Sequence, residues 1–579
     1  MILFKKVSLR DKYDLSCNKV FVTGTQSLVR MCLLQSALDR SRGIATSGYI
    51  TGYRGSPLGA IDQQFQKAEK QLADSQIFFQ PALNEDLAAT AIWGSQQAEM
   101  LGEGKKDGVF AIWYGKGPGV DRSGDAFRHA NMSGTSKFGG VIALVGDDHQ
   151  AESSTSCHQS EFALMDAMIP VLNPSNLQEL VNFGLHGWAL SRYSGLWCGI
   201  KCVKDNIEST ASVNLAKTNF KSIIPNDFKK PDGGLNIRPN DNRFDQEKRL
   251  LRYKLLAAKA YVRKNNIDRV IFENKKAKFG IIATGKGYMD VLQALTDLGI
   301  NSKNYKKFGL KLYKIGMSWP LEPVGIKNFV KNLSKVLIIE EKRSLIETQI
   351  KEILYNDKNS PSIIGKKDLH GKPLLPEDGT INSMDVASVI GNELIKNEFI
   401  SNKILNENYR KIKINIEKKI KPLSIERTPY FCAGCPHNSS TKLPEGSRGY
   451  AGIGCHWLVQ SMERSTQGFT HMGGEGANWI GESNFSNRKH IFQNIGDGTF
   501  NHSGLMAVRA AIASNVNITF KILYNDAVAL TGGQKLEGDM TSIEIANLLS
   551  SLGVKRLIFV TEDLKRHNRS LFPKETEFF

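Results

Sequence analysis

In the run HIFQNIGDGTFNHSGLMAVRAAIASNVNITFKILYNDA, residues 490–527, the triplet Gly496-Asp497-Gly498 is followed, after 26 residues, by Asn525. Two glycines let a backbone approach a diphosphate closely, and a helix opening behind them favours its negative charge. Asp497 and Asn525 offer hard oxygen ligands of the kind Mg²⁺ takes, its other positions going to water and phosphate. A second set of candidates is made of sulfur. TPYFCAGCPHNSST, residues 428–441, places Cys432 and Cys435 three apart, and Cys455 follows in GIGCHW. Three thiols suit an iron–sulfur cluster, a zinc site completed by His437 or His456, or no metal at all. A thioredoxin-like pair would not need the third cysteine.

These residues need elements to position them. IFQNI reads as a buried strand, GDG as a turn, SGLMAVRAAIAS as a helix and ITFKILYN as the next strand. A right-handed βαβ unit of this kind brings Asp497 and Asn525 to carboxyl ends of parallel strands, the edge where open α/β sheets bind ligands. Upstream, residues 108–115, 139–148 and 195–203 read as strands, with helices over 85–102 and 177–192. That alternation predicts a parallel sheet covered on both faces. A second α/β unit runs through residues 278–300 and 335–355. The Pro-, Gly- and Asn-rich stretches 226–244 and 356–379 read as linkers. The predicted plan is therefore a first domain over 1–205, a linker and helix over 206–269, a second domain over 270–356, a linker and basic connector over 357–426, and a third domain over 427–579. GIIATGKG, residues 280–287, misses the Walker A pattern and reads as a plain strand, turn and helix.

Bulk composition narrows the class. The 579 residues exceed what one core serves, and 41% apolar with 23% charged residues describes a globular protein. No run of about 18 apolar residues predicts a membrane span. MILFKKVSLRDKYDLS lacks the apolar core of a signal peptide, and eight cysteines are too sparse for a disulfide scaffold, so the cytoplasm is the expected compartment. The net charge of +18 is spread among scattered lysines without the basic–aromatic clustering of a nucleic-acid surface.

The GDG-to-Asn spacing resembles the thiamine diphosphate (TPP) motif, with Asp526 where a second Asn usually stands. That resemblance implies a Mg²⁺ site of Asp497, Asn525 and the Ala527 carbonyl. It also implies a glutamate on the cofactor's pyrimidine ring, favouring the tautomer that deprotonates the thiazolium C2. Glu85, behind the cap residue Asn84, is the candidate; taken alone it is a first-turn glutamate favoured by the helix dipole.

YRGSPLG, NEDLAATAIWG, HMGGEGANWIGE, FQNIGDGTFNHSG and YNDAVALTGGQ together resemble the indolepyruvate ferredoxin oxidoreductase group of 2-oxoacid:ferredoxin oxidoreductases. The resemblance implies three α/β domains of the TPP-binding type: a pyrimidine domain, a transketolase C-terminal-like domain and a diphosphate domain. It implies oxidative decarboxylation of a 2-oxoacid, nominally an arylpyruvate, to an acyl-CoA, with electrons passing through a [4Fe–4S] cluster to ferredoxin. A non-oxidative TPP lyase and an inactive truncated TPP-binding subunit are the competing expectations. By the same resemblance Thr531 joins the cofactor contacts, Arg54 meets a substrate carboxylate and Ser56 a carbonyl oxygen. Cys432, Cys435 and Cys455 become cluster ligands. No cysteine follows Cys455, so the fourth ligand and a further catalytic domain are expected on a continuation or a downstream polypeptide, and a homodimer is expected from the two-sided cofactor site.

Overall fold

The computed structural model describes residues 7–215, 220–396, 403–418, 428–529, 532–538 and 540–579. It divides into two compact units, Met1–Ile420 and Lys421–Phe579. In the first unit, β1 to β8 are Lys19–Thr23, Thr46–Gly52, Ile77–Phe79, Gly108–Lys116, Val141–Gly146, Val171–Leu172, Cys198–Cys202 and Thr210–Asn214. Strands β9 to β14 are Arg269–Phe272, Phe279–Thr284, Leu310–Ile315, Met317–Trp319, Lys335–Ile339 and Ser362–Ile364.

A seven-stranded sheet runs in the order β12-β6-β7-β5-β4-β2-β3. Its strands are parallel except β12, which lies antiparallel to β6. Strand β4 lies inside the sheet, between β5 and β2, and Phe110 to Tyr114 are buried on both of its faces, which is why this segment reads as an unbroken apolar run. The helix over Glu85–Ser95 stops short of the predicted 102. Its end is drawn into the core: the buried Gln96 amide donates to the Val109 carbonyl and accepts from the Ser136 and Gly140 amides.

The five-stranded sheet has the order β14-β13-β10-β11-β9, with only β9 antiparallel. Two sequence expectations give way here. Strand β12 returns to the first sheet, its Met317 amide held with that of Gly316 by the buried Asp268 carboxylate. The stretch 357–418, expected as a linker and a basic helical connector, is instead part of this domain's core: it carries β14 and helices Ser383–Lys396 and Lys403–Glu417. Their Val386, Ile390, Leu394, Leu405 and Ile412 share a core with Phe279, Leu295 and Leu310. Apolar residues at helical spacing outweigh the charged composition of that segment.

In the second unit, β15 to β18 are Gly449–Ala451, Thr466–Phe469, Ile491–Gly496 and Ile518–Leu523. They form a parallel sheet in the order β16-β15-β17-β18. The helical segment after β17 begins at Asp497, passes through a π-turn at Phe500–Gly504, and continues as Leu505–Ala513. Ile495, Phe500, Val508, Ile545 and Leu549 anchor it. No helix among the described residues is long and apolar enough to cross a membrane.

Candidate active site

The carboxyl edge of the four-stranded sheet carries the GDG turn. Asp497 is buried, and both of its oxygens are engaged by backbone amides: Oδ1 accepts from Gly498 at 2.8 Å, Oδ2 from Asn525 at 2.8 Å and Asp526 at 2.7 Å. One carboxylate thus ties the ends of β17 and β18 together, bringing Asp497 and Asn525 to one edge. Burial raises its pKa, and the three amides oppose that rise. The exposed Asn525 accepts from the Ala527 amide at 3.2 Å, and Asp526 takes the left-handed conformation at φ 55° that short polar residues tolerate. Thr531 lies outside the described residues.

The two glycines of this turn are informative. A Cβ built at Gly496 meets nothing nearer than 3.8 Å, and one at Gly498 nothing nearer than 3.5 Å. Neither has a positive φ. Packing and backbone conformation would accept alanine at both, so the bare backbone is open to a group outside the chain. A buried carboxylate beside an open amide-rich turn fits Mg²⁺ and a diphosphate in kind.

The neighbouring loops are stitched to this turn. Thr499 donates to the Ile453 carbonyl at 2.8 Å, and the Ile453 amide donates to Glu475 at 3.3 Å. Glu475, fully buried, also accepts from Gly473 at 2.8 Å and fills the space where a Cβ on Gly452 would stand. Burial raises its pKa to about 7. Glu475 lies within the HMGGEGANWIGE motif but is not among the residues singled out by type and spacing; a carboxylate among glycines was the available signal.

Cys432 is exposed, and Cys435 and Cys455 are half-buried. The CAGC segment is a turn closed by the Cys435 amide on the Cys432 carbonyl at 3.0 Å, with Gly434 at φ 75°. Burial raises the Cys455 thiol pKa, and Cys435 and Cys432 raise it further. Among the described residues no group of three or more His, Cys, Asp or Glu is drawn close enough to hold a metal ion. The thiols are the right donors for an iron–sulfur cluster and supply three of the four that a cubane takes. His456, beside Cys455, is buried with its Nε2 unpartnered, and burial lowers its pKa to about 3.

In the first unit, Asn84 caps its helix by accepting from the Leu87 amide, which sets Glu85 at the helix start, buried. Trp113 Nε1 donates to the Glu85 carbonyl at 2.9 Å. Gly119 leaves room for the carboxylate: a Cβ there would stand 2.6 Å from Glu85 Cγ and Oε1. Gly117 does the same for His158, whose ring would lie 2.1 Å away. Burial pulls the His158 pKa down, but hydrogen bonds to Asp121 and Asp147 outweigh it and hold the imidazole at about 9.

Arg54 is buried in an ion pair with Asp62 at 2.9 Å, and Tyr114 donates to the other Asp62 oxygen at 2.7 Å. Ser56 is half-buried in the same loop. The half-buried Lys116, at the end of β4, was not singled out by the sequence.

Comparison with known proteins gives this geometry a context. Residues 269–417 match the family model described as indolepyruvate oxidoreductase domain, and residues 452–575 match that of the thiamine pyrophosphate enzyme, C-terminal TPP binding domain. The chain is 24% identical over 558 residues to the indolepyruvate oxidoreductase subunit IorA of Methanothermobacter marburgensis, covering 93% of this chain and 81% of the relative. It is 25% identical to the Pyrococcus horikoshii IorA over 554 residues, 91% of this chain and 77% of that one. A 2-oxoglutarate:ferredoxin oxidoreductase from Magnetococcus marinus overlays at a TM-score of 0.45 and 15% identity, over 65% of each chain, too loosely to carry an argument. The α/β fold class with TPP-type domains, expected from the sequence, is the one found.

Proposed function

We propose that the chain is a member of the indolepyruvate ferredoxin oxidoreductase family, to whose IorA subunits it is similar along most of its length, and that it catalyses the TPP-dependent oxidative decarboxylation of a 2-oxoacid, nominally an arylpyruvate. One 2-oxoacid, one coenzyme A and two oxidised ferredoxins give one acyl-CoA, CO₂, a proton and two reduced ferredoxins. The observation that carries this reading is the GDG turn, where two glycines that the fold does not require flank a carboxylate locked to the next strand end. Bound TPP would supply the carbanion-stabilising chemistry.

The chain's own residues have separate tasks. Asp497, Asn525 and the Ala527 carbonyl would hold Mg²⁺, with Gly496, Gly498 and Thr531 beside the diphosphate. Glu85 would hydrogen-bond the pyrimidine ring and hold the proton there. Cys432, Cys435 and Cys455 would bind iron–sulfur, the fourth thiolate coming from elsewhere. A homodimer, a further catalytic polypeptide and the cytoplasm complete the proposal. The test is anaerobic: purified protein with TPP, Mg²⁺, coenzyme A and phenylpyruvate should reduce ferredoxin or a viologen dye and contain iron. Aldehyde release without any acceptor, from iron-free protein, would instead identify a non-oxidative lyase.

A further inference from the structure

The carboxyl edge of the seven-stranded sheet is crowded with cations, and nearly all have partners. Arg54 is paired with Asp62, Arg122 with Asp86, His158 with Asp121 and Asp147, Lys201 with Glu161, and Lys204 with Glu152. Lys116 differs: Glu85 and Asp148 act on its ammonium through space, without a hydrogen bond or close ion pair among the described residues. Its stem is nonetheless fixed. It lies against Gly55 of the YRGSP loop, where a Cβ would stand 2.7 Å from its Cδ and 3.0 Å from its Cγ. Burial lowers its pKa, and the carboxylates of Glu85 and Asp148 act on it to raise it again. Asp148 is itself engaged by the Glu152 and Ser153 amides at 3.0 and 2.9 Å.

An ammonium that feels carboxylates only through space, and makes no hydrogen bond to them, still has its donors available for a carboxylate that comes into contact. Lys116 stands between the loop expected to face the substrate and the glutamate expected to face the cofactor. Arg54, the cation that the sequence favoured for this task, already carries a buried counter-ion. We propose that the Lys116 ammonium receives the carboxylate of the 2-oxoacid. This rests on the reaction proposed above, and makes Lys116 a residue that selects acids over their neutral analogues.

The experiment uses the full chain loaded with TPP and Mg²⁺, and compares wild type with Lys116→Met and Lys116→Arg. Two unreactive probes, 3-phenylpropionate and 3-phenylpropionamide, are titrated calorimetrically, and C2 proton exchange of bound TPP reports whether the cofactor site is intact. Wild type should prefer the carboxylate. Lys116→Met should weaken carboxylate binding about ten- to hundredfold, the range of a charge-assisted hydrogen bond, while amide binding and C2 exchange stay within about twofold. Lys116→Arg should regain part of the loss. In turnover, the Met variant should raise the KM for phenylpyruvate far more than it lowers kcat. Equal carboxylate binding by wild type and Lys116→Met, or no preference in wild type, overturns the proposal. Wild type that binds the carboxylate selectively but turns over no 2-oxoacid would overturn the functional reading and leave the role of Lys116 in carboxylate binding supported.

Discussion

The two sheet edges that carry the candidate chemistry are built on opposite plans. On the seven-stranded sheet the chemistry resides in side chains: Glu85, His158 and Lys116 each rest against a glycine whose missing Cβ makes room for them. On the four-stranded sheet it resides in the backbone: Asp497 gathers three amides, while Gly496 and Gly498 face nothing of the chain within 3.5 Å. A glycine therefore means different things at the two edges. Gly117 and Gly119 are required by the protein's own packing, and Gly496 and Gly498 are not.

The most severe way to break this contrast is Asp497→Ala. It removes the acceptor of three amides and the proposed Mg²⁺ ligand together, so calorimetry should show TPP binding in Mg²⁺ weakened by at least about a hundredfold. Asp497→Asn retains an acceptor and should keep the melting temperature closer to wild type while still losing Mg²⁺-dependent binding. Wild-type affinity in either variant would remove Asp497 from the cofactor site.

Glu85→Gln changes one charge on the other edge. The fold should persist, and C2 proton exchange of bound TPP should slow by about a hundredfold, within the range of lost acid–base assistance. Unaltered exchange would reduce Glu85 to the capped first-turn residue its sequence context allows.

The glycines sharpen the comparison. Gly119→Ala drives a methyl into the Glu85 carboxylate and should cost about 1–3 kcal/mol in chemical denaturation. Gly498→Ala sits in helical backbone with ordinary contacts and should leave stability unchanged or raise it by up to about 1 kcal/mol. The same substitution should weaken TPP binding about tenfold, because the methyl occupies the approach to the backbone. Equal destabilisation by the two substitutions would erase the distinction.

A further contrast is a pH dependence confined to the side-chain edge. His158 has a folded pKa of about 9 against an ordinary 6.5, so the folded state binds more protons between those values. Its contribution is fully present below about pH 6.5 and is lost as pH rises through 9, amounting to about 1–3 kcal/mol. Melting curves across that window should fall more steeply for wild type than for His158→Gln. Parallel curves would place the Asp121–His158–Asp147 chain outside the stability balance.

The strand–turn–helix–strand around GDG was legible because every part of it is local. Apolar runs mark β17 and β18, two glycines mark the turn, and the right-handed crossover leaves one place for Asp497 and Asn525. Glu85 was legible through its cap, since Asn84 fixes where the helix starts. The α/β class follows from such short-range signals, and the resemblance to TPP enzymes rests on short motifs of the same kind. The sequence could not decide which cations at the other edge are held in close ion pairs, because counter-ions come from distant positions: Asp62 for Arg54, Asp121 and Asp147 for His158. It could not place β12 on the first sheet or residues 383–417 in the second core, because strand partners and core neighbours are chosen by three-dimensional fit. Nor could it see Glu475 linking Gly473 to Ile453, a contact that spans 22 residues and exists only once β15 and β16 lie side by side. Residue types and spacing determined what chemistry the chain can hold; tertiary structure decided which charges are already satisfied, and so which are free to act.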